Sequence, residues 1–259
     1  MTPHLCPYPF TVDIAKAIET SISPARLELY QQQSKGSKED ALILYCWNIS
    51  LCQSLYWPLH ALEIVLRNAM AEKIKLTFGP DWYEDLTRFS TSKRDKAVKE
   101  TAQIIKAKEK LDDASRPYNH DNIVAASTLG FWHGLLKSEY ETSLWKPHFE
   151  DLLEVNDREE AWKKINQMKR LRNNIAHYEP IFVWANKSKR ELYREYKMMV
   201  KIIRWLCPET AAWVEAHCSK TFFDTWNCAP SSFNVLPLTV SSAGTEANSG
   251  VWQFPVQPI

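Results

Sequence analysis

A chain of 259 residues, 45% hydrophobic and 24% charged, has the make-up of an ordinary globular protein and enough length for one large domain with a sizeable core. A net charge of +1 supplies no global field toward nucleic acid or lipid, so any polyanion must be held by a local patch. Six cysteines without a C-x-x-C pair or clustered histidines show no metal motif, and no apolar run approaches the ~20 residues of a transmembrane helix.

The first residues lack a basic region followed by a long apolar run, so no signal peptide is expected and a reducing cytoplasm is the default location. Only six glycines stand against eleven tryptophans, which favours helices over a turn-rich sandwich. Residues 1–10 carry three prolines and read as an extended lead-in. A helical pattern begins at Thr11 and breaks at Ser23-Pro24, where an N-cap precedes proline at the first helical position of a second helix running to about Gln33.

Residues 39–57 form a strongly apolar helical pattern, which Pro58 should end or kink because proline lacks an amide donor and crowds the preceding turn. A further helix continues to about Leu76, with Leu59, Leu62, Leu66 and Met70 inward. Glu63 falls beside that stripe with Arg67 four residues on, the spacing of a helical ion pair; the alternative is a buried carboxylate that holds an arginine elsewhere. Cys46 and Cys52 lie in the apolar pattern and read as free thiols.

Phe78 to Tyr83 is a turn with aromatic anchors, and residues 90–113 are a lysine-rich surface helix opened by Ser90 or Ser92. Residues 121–136 read as a compact helix or helix pair in which Gly130 and Gly134 permit close backbone approach and His133 is a packing or rim group. Residues 138–156 are a less regular connection. A helix starts near Asp157 and ends in Met168 to Pro180.

Beyond it, Ser188-Lys189-Arg190-Glu191 is a capping box opening a helix with the apolar stripe Leu192, Tyr196, Met199, Ile203 and Leu206. A second face carries Arg190, Arg194, Lys197, Lys201 and Arg204, read either as a solvated face or as a track for a phosphate backbone. Pro208 opens a short helix. The helical domain is placed at 11–218 and an irregular tail at 219–259, since residues 229–259 are rich in Pro, Ser, Thr, Ala, Gly and Asn. No Gly-rich phosphate loop or other cofactor motif is present, so no cofactor is expected.

The stretch Arg172-Asn173-Asn174-Ile175-Ala176-His177 concentrates the chemistry. At about 100° per residue, Ala161, Ile165, Met168, Ile175 and Ala176 share one side of the helix, and Arg172 falls in its middle. A guanidinium there needs a partner or a cleft. Either it pairs with an acid such as Glu63, or the helix lines a polar groove where a phosphate meets its fork. His177 would point about 140° away on the same ideal helix, so the two converge only if the helix ends near Ala176 or a second copy supplies the other group. Histidine suits general acid–base work near neutrality, arginine suits a developing phosphorane charge, and Asn173 can bind phosphate or orient His177.

Arg172 to Pro180 resembles the signature of the HEPN superfamily in the form carried by Abi-like (abortive phage infection) proteins. Four more segments resemble that family in the same order: Ile22 to Leu27, Leu44 to Asn48, Leu62 to Ala69, and Leu129 to Trp132. The resemblance spans about residues 12–217. It implies an all-α HEPN-like bundle with additional N-terminal helices, a homodimer sharing one cleft, and metal-independent cleavage of an RNA substrate. An antitoxin or phage trigger protein is an implied partner, and no membrane. It places Arg172 and His177 as the catalytic pair with Asn173 as polar neighbour, and Glu63, Arg67 and Asn68 as a supporting motif. One position departs: HEPN toxins controlled by a nucleotidyltransferase antitoxin often carry tyrosine two residues after the histidine, where this chain has Glu179, with Tyr178 one residue early.

Three readings follow. The chain is a defence endoribonuclease, a non-catalytic RNA- or protein-binding module, or a fold in which Arg172 is only a structural ion-pair partner.

Overall fold

The computed structural model describes residues 11–34, 38–89, 98–183 and 191–230. Among them every regular element is a helix: the fold is all-α. It is organised around α3 (Lys38–Phe78), whose 41 residues make a rod about 60 Å long at 1.5 Å per residue. The two helices expected on either side of Pro58 are one. Pro58 is buried inside α3, and its missing amide leaves the Ser54 carbonyl without the usual helical donor. Packing outweighs that loss: Leu51, Leu55, Leu59, Leu62 and Leu66 are all buried along the same rod, each contributing about 1.5–3 kcal/mol of apolar transfer. Gly79 ends α3 with φ +88°, a backbone conformation open to glycine, and its amide bonds the Lys75 carbonyl at 2.9 Å.

The N-terminal helices form where their caps dictate. Thr11 Oγ1 accepts the Ile14 amide to open α1 (Val12–Ile22), and Ser23 Oγ accepts the Arg26 amide to open α2 (Pro24–Gln33), with Pro24 at the first helical position. Leu27 and Tyr30 of α2 are buried against α3.

Helix α4 (Val98–Asp113) buries Ile104, Ala107 and Leu111 and leaves its lysines at the surface; Ser90, Ser92 and Ala97 lie outside the described residues. The segment 121–136 is a helix pair, α5 (His120–Ala126) and α6 (Leu129–Gly134). Gly134 is small for a reason: a Cβ there would sit 2.3 Å from the Glu100 carboxylate oxygen, which Lys137 holds at 2.6 Å. The irregular connection resolves into a 3-10 turn (Ser138–Tyr140) and a wide π-helical segment (Glu141–Phe149) with Pro147 inside.

Helix α7 (Arg158–Ala176) opens as its sequence demands, with Asp157 Oδ1 accepting the Glu160 amide at 2.7 Å. Arg158 ties its start to the Leu136 carbonyl and Glu141. Next come α8 (Glu191–Leu206) and α9 (Pro208–Asn227), joined through Cys207 and packed on each other and on α3. The residues 188–190 of the capping box lie outside the described residues. Helix α9 is not short and runs past the expected boundary at 218, because Phe222, Phe223 and Trp226 are core residues. Tyr196 stacks on Phe222 at 4.5 Å, and the Trp47 indole donates to the Thr225 carbonyl at 2.8 Å. Residues 231–259 of the expected tail lie outside the described residues.

One buried charge departs from the rule that core polar groups are satisfied. Glu195 of α8 is 2% exposed; its Oε1 meets the Gln167 amide of α7 and its Oε2 has no partner. Burial pushes its carboxyl up to about 7. A raised carboxyl pKa favours the fold at low pH, and that advantage is lost as pH rises from the unfolded value near 4.5 through about 7. Replacing Glu195 with Gln should therefore leave stability similar near pH 4 and make the variant the more stable protein at pH 8. Urea denaturation at both pH values measures it, and an equal stability difference at the two would count against a buried ionising carboxylate.

Candidate functional site

Helix α7 changes surroundings within its last two turns. Ala161, Ile165, Met168 and Leu171 are fully buried, whereas Ile175 is half-buried and Ala176 exposed. The face that is core up to Leu171 becomes the wall of a cleft from Arg172 onward. This cleft, of about 800 Å³, runs along α3 from Tyr45 to Arg67. Its walls are largely apolar, with Ile49, Tyr56, Leu59, Ile64, Ile175 and Tyr178 among them, and its polar groups are few: Asn48, Gln53, His60, Glu63, Arg67 and Arg172.

Arg172 pairs with Glu63, as one reading expected, and it also lines a cleft. Its Nε lies 3.4 Å from Glu63 Oε2, and its side chain remains 47% exposed at the cleft. Glu63 is the more buried partner, at 19%. With one end in solvent such a pair contributes about 1 kcal/mol or less to stability, so its main effect is to fix where the guanidinium points. Glu63 thus holds an arginine on another helix, and no Glu63–Arg67 ion pair forms among the described residues. Arg67 also lines the cleft, and its Nε is buried without a hydrogen-bond partner. Two guanidinium groups therefore face one carboxylate. Asn68 is exposed and borders a different, smaller cleft beside His120, which Arg67 separates from the first.

The helix ends as the Pro180 signal requires. His177 is the C-cap residue, Tyr178 takes a left-handed conformation with φ +60°, and the chain turns away. The Glu179 amide bonds the Asn174 carbonyl at 2.8 Å and the Tyr178 amide bonds the Ile175 carbonyl at 3.1 Å, the paired bonds of a Schellman turn. Glycine usually occupies the position of Tyr178 in that turn.

Two residues from distant parts of the sequence hold this turn, and sequence reasoning assigned neither a role. Arg26 of α2 donates to the Tyr178 carbonyl at 2.8 Å. Buried Asn48 of α3 accepts the amides of Ile181 at 2.8 Å and Phe182 at 3.3 Å. Behind them, Phe182 packs on Tyr30, whose ring meets Tyr45 edge-on. The available signal was positional: Arg26 and Asn48 both lie in segments that resemble the Abi-like pattern.

His177 is exposed, does not line the cleft of its own chain, and its ring makes no hydrogen bond among the described residues. The half-buried Asn173 contributes its carbonyl to the His177 amide at 2.9 Å, and its side chain is likewise without a hydrogen bond among those residues. One copy of the chain therefore brings together Arg172, Glu63 and Arg67, and leaves His177 at the rim.

The basic face of α8 is partly neutralised. Arg194 pairs with Glu191 at 3.2 Å, Arg204 bonds Glu215 of α9, and Lys201 lies over the Trp205 ring; Lys197 is exposed, and Arg190 lies outside the described residues. These contacts favour the solvated-face reading. Among the described residues no three His, Cys, Asp or Glu side chains are grouped to hold a metal ion, and no helix is long and apolar enough to cross a membrane. The chain matches no protein-family model, no curated protein and no solved structure.

The left-handed Tyr178 gives a test of the turn. A non-glycine residue there costs about 1–2 kcal/mol, and glycine returns about 0.5–1 of that through its freer unfolded chain. Tyr178→Gly should raise unfolding free energy by about 0.5–1 kcal/mol, while Tyr178→Ala, which keeps the Cβ, should not. Chemical denaturation of the two variants measures this, and a gain from alanine as large as that from glycine would refute backbone strain as the cause.

Proposed function

We propose that this chain is a metal-independent endoribonuclease of the HEPN, Abi-like kind, in which Arg172 binds the scissile phosphate. The observation that carries this reading is the placement of Arg172 over the cleft. Its Nε is engaged by Glu63 and its side chain is half open to solvent, leaving terminal amino groups to take a phosphate. Arg67 adds a second cation to the same cleft, and the aromatic walls at Tyr45 and Tyr56 give bases a surface to stack on.

The chemistry needs little else. His177 takes the proton of a ribose 2′-hydroxyl, the oxygen attacks phosphorus, and the guanidinium offsets the added negative charge. The bond to the 5′-oxygen then breaks, and that oxygen leaves with the proton that His177 had taken, giving a 2′,3′-cyclic phosphate and a 5′-hydroxyl. Because His177 stands at the rim of its own cleft, it serves this step from a second copy related by two-fold symmetry. Cleavage would serve phage defence or act as a toxin, with an antitoxin or phage protein as its controlling partner.

The rim position of His177 also supports a second reading, in which the cleft binds RNA or a protein and cuts nothing. The two separate on one assay. Incubated with RNA in EDTA, the wild-type protein should release fragments ending in 2′,3′-cyclic phosphate. His177→Ala should slow release by about 10²-fold or more with an unchanged circular dichroism spectrum. Arg172→Lys, which keeps the charge and loses the fork, should also be slow. Cleavage that appears only with added divalent metal would sink the mechanism; tight binding without cleavage would establish the second reading.

A further inference from the structure

On the side of α7 turned toward α6, one lysine meets buried His133 and another, just beyond α6, meets Glu100 of α4, which Lys99 adjoins. Lys169 of α7 approaches buried His133 of α6, Nζ to Nδ1, at 3.0 Å. Lys137, just beyond α6, bonds Glu100 of α4 at 2.6 Å, and the Glu100 carboxylate lies against Gly134. Lys99 adjoins Glu100 on α4 and is exposed. Burial first, then the charges of Lys99 and Lys137, hold the Lys169 amine below its ordinary range. Burial and the same three lysines push the His133 imidazole down to about 4, so it is neutral at pH 7 and accepts from Lys169.

The charge count is lopsided. Among the described residues Glu100 is buried and committed to Lys137. Among the described residues neither Lys99 nor Lys169 has an ion-pair partner. Like charges drawn together raise each other's cost unless an anion offsets them. The cluster is also placed with respect to the cleft. Lys169 and Arg172 are three residues apart on α7, neighbours on the helix surface separated by about 4.5 Å along the axis.

We propose that Lys99, Lys137 and Lys169 form a phosphate-binding subsite that carries the backbone of single-stranded RNA onward from Arg172. This rests on the RNA reading of the cleft. It also reassigns the basic track. The face of α8 that carries Arg194, Lys197, Lys201 and Arg204 is the more obvious stripe in sequence, yet Glu191 and Glu215 already engage two of its arginines. The α4–α6–α7 cluster has the unmet positive charge.

The test uses the full-length protein and a fluorescent RNA 12-mer bearing 2′-O-methyl groups, which removes the nucleophile and separates binding from cleavage. Anisotropy titrations at several salt concentrations give Kd and its salt slope. Lys169→Gln and the exposed Lys99→Gln should each weaken binding about fivefold at low salt, alike for different sequences, and lower the slope by about one. Lys197→Gln on α8 should leave both unchanged. Wild-type affinity and slope in the Lys99 and Lys169 variants would overturn the subsite. So would displacement of the RNA by ATP at matched phosphate concentration, which would point to a free nucleotide as the ligand. If unmodified RNA is never cut while these losses are seen, the nuclease reading fails and the subsite stands.

Discussion

The end of α7 is the constraint on which the site depends. A helix carried past Ala176 would sweep His177 about 140° around the axis from Arg172 and leave the cleft without a lip. Pro180 opposes continuation, but proline alone does not say where the chain goes next. That direction comes from Arg26 on the Tyr178 carbonyl and from Asn48 on the amides of Ile181 and Phe182. The turn they fix holds a tyrosine in a conformation glycine usually takes, a strain that persists because α2 and α3 over-determine it. Backbone geometry, cleft shape and the station of His177 are thus one arrangement, held by contacts to two N-terminal helices.

Electrostatics follow from the same geometry. Among the described residues Glu63 is the only acid lining the cleft, and it pairs with Arg172 rather than with Arg67 one turn away on its own helix. The apolar walls around these groups lower the local dielectric and strengthen each interaction. A phosphate entering beside Arg172 and Arg67 would restore neutrality in a cleft that holds two cations and one anion. A ligand without a hydrogen-bond acceptor would leave Arg67 Nε as unsatisfied as it is now.

Local chemistry made much of this legible in the sequence. The cap at Ser23, the helix start near Asp157, the helix stop before Pro180 and the buried stripe of Leu59, Leu62, Leu66 and Met70 are governed by residues a few positions apart, and the structure has each of them. The Glu63–Arg172 pair was also readable, because an arginine on an apolar helix face demands an acid. What stayed hidden is set by tertiary packing. The continuity of α3 through Pro58 and the length of α9 depend on cores that outweigh local propensity. The Arg26–Tyr178 and Asn48–Ile181 bonds join residues 152 and 133 positions apart, beyond any periodicity. The α8 stripe stayed open between two readings because spacing shows where charges lie and not which acids face them.

Helix α7 shows how one element can serve several surroundings at once. Its apolar face anchors it to the core through Leu171, and Arg170 turns instead toward the small cleft of Glu195. Lys169 reaches His133 and the α4 lysines, while Arg172 reaches Glu63. Residues 169–172 are a single turn, so four successive side chains sample four directions. A rotation of α7 by one residue would send Arg172 toward the core and Leu171 toward the small cleft of Glu195. The cost of burying that unpaired guanidinium locks the helix in its register. The same core that fixes α7 therefore fixes the spacing between the lysine cluster and the arginine cleft, and a strand bound to both would be held in one register on the protein surface.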